Sequence, residues 1–387
     1  MAGDFASLKR MSNSHALPGK PAKKDWSPRL WEGADYIFWL RLLWRNRFAV
    51  SPRYWYIAFI ASNLTFWNMV ARWFEYGLYG SRIRNTKLVA PPIFVLGHWR
   101  TGTTLLHELL VLDPLFTSPT TLQCVAPCHS LLSENFFKTY CNFLVPDKRP
   151  MDNMAVGWDR PQEDEFALCL LGEPSTYADW AFPDRPPMYP GALDLSGLTR
   201  PQLRRWKRTL LRFLKTLTFR DPRRLVLKSP PHTARVKVLL EMFPDARFVH
   251  IVRDPYVVFS STVKLWKSLY QKECLQTPRD DSSIREKVFR EFRVIYDRLE
   301  EAKPLIPKGH FHEVRYEELV KDTAGEMRKV YDALHLDGFD EYRPKLQEYL
   351  DRNAGYETNK FQMSDADRAE ITARWGDVIR RYGYGEK

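Results

Sequence analysis

The sequence predicts an α/β fold, a three-layer sandwich of the P-loop type with a central parallel sheet and a helical extension at its N-terminus. Three observations predict it. The apolar run "IFVLG" leads directly into a turn with glycines at both bends, Gly97 and Gly102, and then into the leucine-rich "TTLLHELLVL". Two further short apolar runs, "RLVLKSP" and "RFVHIVRDP", end in charged residues and enclose the helical pattern "TARVKVLLEMF". Ahead of them, residues 36–79 are dense in Trp, Tyr and Phe and punctuated by arginine, unlike the rest of the chain.

In chain order, residues 1–30 are polar and basic and lack the apolar core of a secretory signal, so they read as a flexible lead. Residues 31–85 form the second unit, an aromatic-rich hairpin of two helices separated at Ser51-Pro52, because proline ends a helix at the preceding residue. An uncharged run over 54–71 is nearly long enough to span a bilayer. Ser62, Thr65, Asn68 and Arg72, however, recur at spacings of three and four and draw a polar stripe along it. The stripe, with the aromatic and arginine enrichment, favours a helix lying in a membrane interface, so residues 36–80 are expected to make peripheral membrane contact. Simple docking on the protein and a true span are the two alternatives.

Residues 86–387 form the third unit. "IFVLG" is a buried strand, and the helix after its loop turns Leu105, Leu106, Leu109, Leu110 and Leu112 inward. Strand, helix and strand over "RLVLKSP" to "RFVHIVRDP" make a right-handed parallel crossover. "FHEVRYEELV" supplies another strand and "AGEMRKVYDALHL" the helix after it. Three polar strand ends thus meet at one sheet edge, where open α/β sheets place ligands.

Across 387 residues, 44% hydrophobic and 14% aromatic content is ample for a core. A net charge of +12 favours a polyanionic ligand or an anionic membrane surface. Nucleic acid is not expected as a partner, because the basic residues are spread out and no recognised nucleic-acid motif accompanies them. Cys124, Cys128, Cys141, Cys169 and Cys274 show no zinc-type pairing and read as core thiols of a reducing, cytoplasmic compartment, with placement at the inner membrane surface as the peripheral variant.

The loop carries the chemistry. Gly97 and Gly102 have the spacing of a nucleotide-hydrolysing loop, but Thr103 stands where such a loop has lysine. A strand-to-helix loop of this kind points backbone N–H groups and a helix dipole at an anion, and Thr103 and Thr104 add hydroxyls. Without the lysine the cradle suits a nucleotide 5′-phosphate with a reacting group just beyond it, and Arg100 can supply positive charge.

At these residues the chain resembles the sulfotransferases. The loop is similar to their 5′-phosphosulfate loop, and "VLKSPPHTARVKVLLEMFPDARFVHIVRDPYVVFSS" to their 3′-phosphate segment, in which a serine eight residues past the arginine opens the next helix. Arg253 and Ser261 have that spacing. Over about residues 90–384 the resemblance is to bacterial sulfotransferase-family proteins related to tyrosylprotein sulfotransferases. It implies 3′-phosphoadenosine 5′-phosphosulfate as co-substrate, no metal, and an in-line displacement that rests on alignment and charge neutralisation. It implies binding of that donor by Gly97, Arg100, Thr101, Gly102, Thr103, Thr104, Arg253, Ser261 and Tyr316, with Lys360 closing from the C-terminal side. Lys228, at the end of "RLVLK", matches a lysine of the tyrosylprotein enzymes and joins Arg100 in neutralising the leaving group.

A proton acceptor is also needed. Where the tyrosylprotein enzymes have a glutamate this chain has Thr121, so the acidic cluster of "PQEDEFALCLL", read as a first helical turn opened by Pro161, supplies the candidates. Glu163 ranks ahead of Glu165, with Asp164 beside them and His98 and His232 as rivals. The expected acceptor is a small-molecule, lipid-linked or carbohydrate hydroxyl or amine. Two other functions compete. A P-loop kinase or NTPase is opposed by Thr103 and the Arg253 to Ser261 segment, and an inactive nucleotide-binding scaffold by the presence of Arg100, Lys228, Arg253 and Ser261 together.

Overall fold

The run Ile93–Leu96 (β1) is buried at all four positions, as a strand covered on both faces must be. In the computed structural model, which describes residues 29–144, 157–276, 282–353 and 363–385, it is the central strand of a parallel sheet. The others are Phe116–Thr117 (β2), Arg224–Lys228 (β3), Arg247–Val252 (β4) and Phe311–Arg315 (β5), in the order β2-β3-β1-β4-β5. Ile93 stands opposite Val226 on one side and Arg247 on the other, so β1, β3 and β4 end side by side.

Strand alternation sorts the side chains into two cores. Ile93, Val95, Val226, Val249 and Ile251 meet Leu106, Leu109 and Leu110 of the helix Thr103–Val111 and Val330 and Leu334 of the helix Thr323–Leu334. Phe94, Leu96, Leu225, Leu227 and Phe248 meet Trp206, Leu210 and Leu214 of the helix Arg200–Arg220 and Leu239 of Val236–Met242. Helices on both faces complete the three layers.

Several elements differ from expectation. Strand β2 has only two residues, too few to show any periodicity, and pairs with β3. After β3 the chain forms a 3₁₀ segment, Pro230–Arg235, before the helix starts at Val236; each proline disfavours the α conformation at the residue before it, here Ser229 and Pro230. Pro161 does not open a helix: it bridges to Thr120, and the helix begins at Asp164 with Glu163 as its cap residue.

The extension holds the helices Tyr36–Arg45 and Trp55–Asn85 on either side of Ser51-Pro52. The longer is turned inside out. Its buried positions include Ala61, Thr65, Asn68 and Glu75, while Trp55, Phe59, Trp67, Trp73 and Phe74 are each more than 60% exposed. The polar stripe faces inward because it has partners there. The Asn68 amide donates to the Glu32 and Ala34 carbonyls at 2.9 and 3.1 Å, and its oxygen meets His129 Nε2 at 3.0 Å. Arg72 pairs with Asp35, and Glu75 accepts from the Leu131 amide at 2.9 Å. The spanning alternative falls: among the described residues no helix is long and apolar enough to cross a membrane.

Candidate active site

Both bends of the loop after β1 require glycine. Gly97 has φ +151°, and a Cβ there would lie 2.7 Å from Thr101 Oγ1 and 2.8 Å from the Ile251 carbonyl oxygen. Gly102 has φ +100°, and a Cβ would lie 2.4 Å from the Tyr316 ring. Between them Arg100 also adopts the left-handed region, at φ +69°, a conformation that a non-glycine residue keeps only when its surroundings hold it. Here they do. Its Nε donates to Ser261 Oγ at 2.8 Å, and its carbonyl accepts from Arg253 Nη1 at 3.2 Å. Thr101 is buried and donates to the His98 carbonyl at 2.7 Å, bracing the turn, while the Gly97 amide donates to Thr233 Oγ1 at 2.7 Å. The helix Thr103–Val111 then starts, and its first-turn amides have no intrahelical acceptor.

Arg253 follows β4 and lies over the Tyr316 ring at 4.0 Å. Asp254 caps the next helix through the Tyr256 amide at 2.9 Å. That helix opens at Pro255, so Ser261 does not open it but sits nearly two turns inside, brought to Arg100 by its place on the inward face. Tyr316 is the first residue of a helix immediately beyond β5 rather than part of the strand. Arg100, Arg253, Ser261, Tyr316 and the two loop glycines therefore form one group. Lys360 lies outside the described residues.

The end of β3 selects among the carboxylates. Lys228 is buried, and its ammonium lies 2.7 Å from Glu163 Oε1 and 3.3 Å from Thr104 Oγ1, joining the acidic segment to the loop. Glu163 Oε2 accepts from the Tyr177 hydroxyl at 2.5 Å, which in turn accepts from the Trp99 indole N–H at 3.1 Å. Burial, and next the Glu163 charge, push the Tyr177 phenol well above its usual range, so it stays a donor. Asp164 is fully buried between Ser229 Oγ at 2.8 Å and His232 Nε2 at 2.7 Å. Burial alone would raise its carboxyl, but His232 and then Ser229 hold it below the usual value. Glu165 is fully buried against the Arg235 guanidinium, at 2.5 and 3.0 Å. Three successive carboxylates thus have three different partners in residues 228–235, and of the three only Glu163 keeps side-chain exposure, at 14%.

The structure thus brings Glu163, but not Glu165, to Lys228 and the loop. The His98 ring is buried against Phe292, and burial pulls it down to about 4, so it is a neutral imidazole. His232 is committed to Asp164. Thr121 donates to the Arg160 carbonyl at 3.1 Å. The sequence reading missed Trp99, Tyr177, Ser229 and Thr233. Trp99 and Tyr177 are 78 residues apart, and only the aromatic run "STYADW" hinted at a packed corner.

The arrangement fits an anion with two charged ends. A glycine-walled cradle backed by helix amides continues through Arg100 to Arg253 and Ser261, which present charge and hydroxyl. A sequence profile described as the sulfotransferase family matches residues 91–341. The chain is 45% identical over 361 residues, 93% of its own length and 92% of the relative's, to the omega-hydroxy-beta-dihydromenaquinone-9 sulfotransferase Stf3 of Mycobacterium bovis. It matches the Mycobacterium tuberculosis protein of the same description to the same degree. Among solved structures it is similar to sulfotransferase STF9 from Mycobacterium avium, with TM-score 0.64, 22% identity and 86% of each chain covered. It is also similar to STF1 from Mycobacterium tuberculosis, with TM-score 0.58, 18% identity, and 91% of this chain and 94% of that one covered. These two likenesses concern the fold.

Proposed function

Because the chain belongs to the sulfotransferase family and transfers a sulfonate group, we propose that Glu163 is its general base and Lys228 the charge that steadies the leaving group. The observation that carries this reading is the Lys228 ammonium, in reach of the loop hydroxyl of Thr104 and the Glu163 carboxylate at once. We propose 3′-phosphoadenosine 5′-phosphosulfate as donor. Gly97, Arg100, Thr101, Gly102, Thr103 and Thr104 would hold its phosphosulfate end, and Arg253, Ser261 and Tyr316 its 3′-phosphate end. The donor supplies a sulfonyl group already bonded to a stable leaving oxygen. The acceptor oxygen bonds to sulfur as the bridging S–O bond breaks, the acceptor proton passes to Glu163, and adenosine 3′,5′-bisphosphate departs.

The relative's description supports a lipid acceptor with a terminal hydroxyl, an ω-hydroxylated menaquinone-type molecule. The exposed aromatic face of residues 36–80 supports peripheral contact with the inner membrane surface from the cytoplasm, where such an acceptor would be met. Incubation of the protein with isotopically labelled donor and an ω-hydroxy menaquinone in mixed micelles should give a product heavier by one labelled sulfonate. Transfer to a carbohydrate or peptide acceptor but not to this lipid would refute the acceptor assignment.

Tyr177 and Lys228 each hold one oxygen of Glu163, which fixes the plane of the carboxylate. Replacing Tyr177 by Phe keeps the ring stack with Trp180, whose centroid is 4.3 Å away, and removes one hydrogen bond to a charged group. The expected result is a fall in kcat of about tenfold with the donor KM unchanged, measured by steady-state kinetics. An equal rise in donor KM with kcat intact would place Tyr177 in donor binding instead.

A further inference from the structure

The helix Arg200–Arg220 carries eight basic residues and no acidic one. Arg205, Lys207 and Arg220 are balanced by Glu173, Glu241 and Glu134. Arg200, Arg204, Arg208 and Arg212 recur every fourth residue and are all exposed. Among the described residues, Arg204, Arg208 and Arg212 make no ion pair, so this row is uncompensated charge on one side of a helix.

The row runs into the aromatic extension. Arg212 lies over the Tyr76 ring at 5.0 Å, and Arg84 donates to the Tyr76 hydroxyl at 3.0 Å. Tyr79 packs on Phe219 at 5.9 Å, and the Lys215 ammonium donates to the Arg84 carbonyl at 2.7 Å. Tyr76 belongs to the same helix as the exposed Trp73, Phe74 and Leu78. Burial, and after it the nearby Arg72, hold the Arg212 guanidinium below its usual range; Tyr76 and Glu75 act the other way, and Arg84 adds to the lowering. Cations gathered this closely repel one another, and a counter-anion would relieve the repulsion.

We infer that Arg84, Arg204, Arg208 and Arg212 form a headgroup-binding flank that selects an anionic bilayer, beside the aromatic face that enters it. The inference rests on the proposed membrane contact of residues 36–80 and adds the lipid charge that the contact requires. Tryptophan and tyrosine settle at the level of the headgroups, and arginines next to them reach lipid phosphates and the negative surface potential. The occupant is a bilayer rather than a nucleic acid or an acidic protein, because the cationic row adjoins a large apolar face that only a lipid surface would cover together with it.

The test is co-sedimentation with vesicles of phosphatidylcholine alone and with about one-third phosphatidylglycerol, at low and at high salt. The full chain and the triple variant Arg204→Gln, Arg208→Gln, Arg212→Gln are compared, with equal melting temperatures as the folding control. The wild-type protein should bind the anionic vesicles at least about tenfold more tightly at low salt, and high salt should remove the preference. The triple variant should lose most of that preference, keep its binding to phosphatidylcholine, and keep its transfer rate with a water-soluble acceptor. A triple variant that still prefers anionic vesicles refutes the arginine flank, as does a wild-type protein indifferent to lipid charge; in both cases the aromatic contact stands. A wild-type protein that sediments with neither vesicle refutes the membrane reading itself, and the flank with it.

Discussion

Replacing Glu163 by Gln should lower kcat for sulfonate transfer by about a hundred- to ten-thousandfold while leaving adenosine 3′,5′-bisphosphate affinity nearly unchanged. The amide is nearly isosteric, and its single oxygen can still accept from Lys228 while the Tyr177 hydrogen bond is lost, so the Tyr177→Phe variant is the control that separates proton acceptance from that lost contact. Glu165→Gln is the informative contrast. That side chain is fully buried on Arg235, and removing its charge strands a guanidinium in the interior, a change of about 3 to 5 kcal/mol in stability. Both variants should melt earlier than the wild type, the first because its amide leaves the buried Lys228 ammonium without a carboxylate, but only the first should fail to turn over at a temperature where both are folded. Single-turnover assays with labelled donor, alongside calorimetric melting, read both. A Glu163→Gln enzyme within about fivefold of wild-type kcat would remove this carboxylate from the chemistry.

Replacing Arg253 by Ala should weaken adenosine 3′,5′-bisphosphate binding by about a hundredfold or more. Three things disappear together: the charge, the hydrogen bond that steadies the Arg100 carbonyl, and the guanidinium face on Tyr316. Lysine should restore only a small part, because an ammonium can neither fork onto a phosphate nor lie flat on a ring. Titration calorimetry with the bisphosphate gives the affinities directly. Wild-type affinity in the alanine variant would mean that the nucleotide binds elsewhere, and the two-ended assignment would fall.

The parallel sheet and its working edge were legible because each of the central strands is a buried apolar run that stops at a glycine turn or a charged residue. Strand β2 was illegible because two residues cannot display a period. Arg100 could be read from its place between the loop glycines, and Lys228 and Arg253 from the ends of their strands, and the structure groups Arg100 with Arg253 and Lys228 with the loop threonine. The acidic triplet could be located but not resolved, since its three members differ by one helical step and only the residues of the distant 228–235 turn tell them apart. Ser261 had the right spacing but the wrong setting, because Pro255 starts its helix earlier than the spacing suggested. Beyond the aromatic run around Tyr177, nothing local pointed to Trp99 and Tyr177, because their pairing is a contact made across the fold. The polar stripe on the long helix was readable as a stripe, but its inward direction became visible only with Asp35, His129 and the Leu131 amide in place.

The mooring of residues 163–165 also bears on how such an enzyme can diversify. The carboxylate proposed as the base stands directly before two that are locked into the interior, and the Glu165 amide donates to Ser229 Oγ, next to Lys228, at 3.0 Å. Drift in the surrounding walls can change which acceptor is welcomed without moving Glu163, the proposed proton acceptor. A single-residue shift of the triplet against residues 228–235, by contrast, would put an anchoring carboxylate where Glu163 meets Lys228. New acceptor preferences in chains built this way should therefore arise through substitution around the cleft, with this short stretch keeping its length and order.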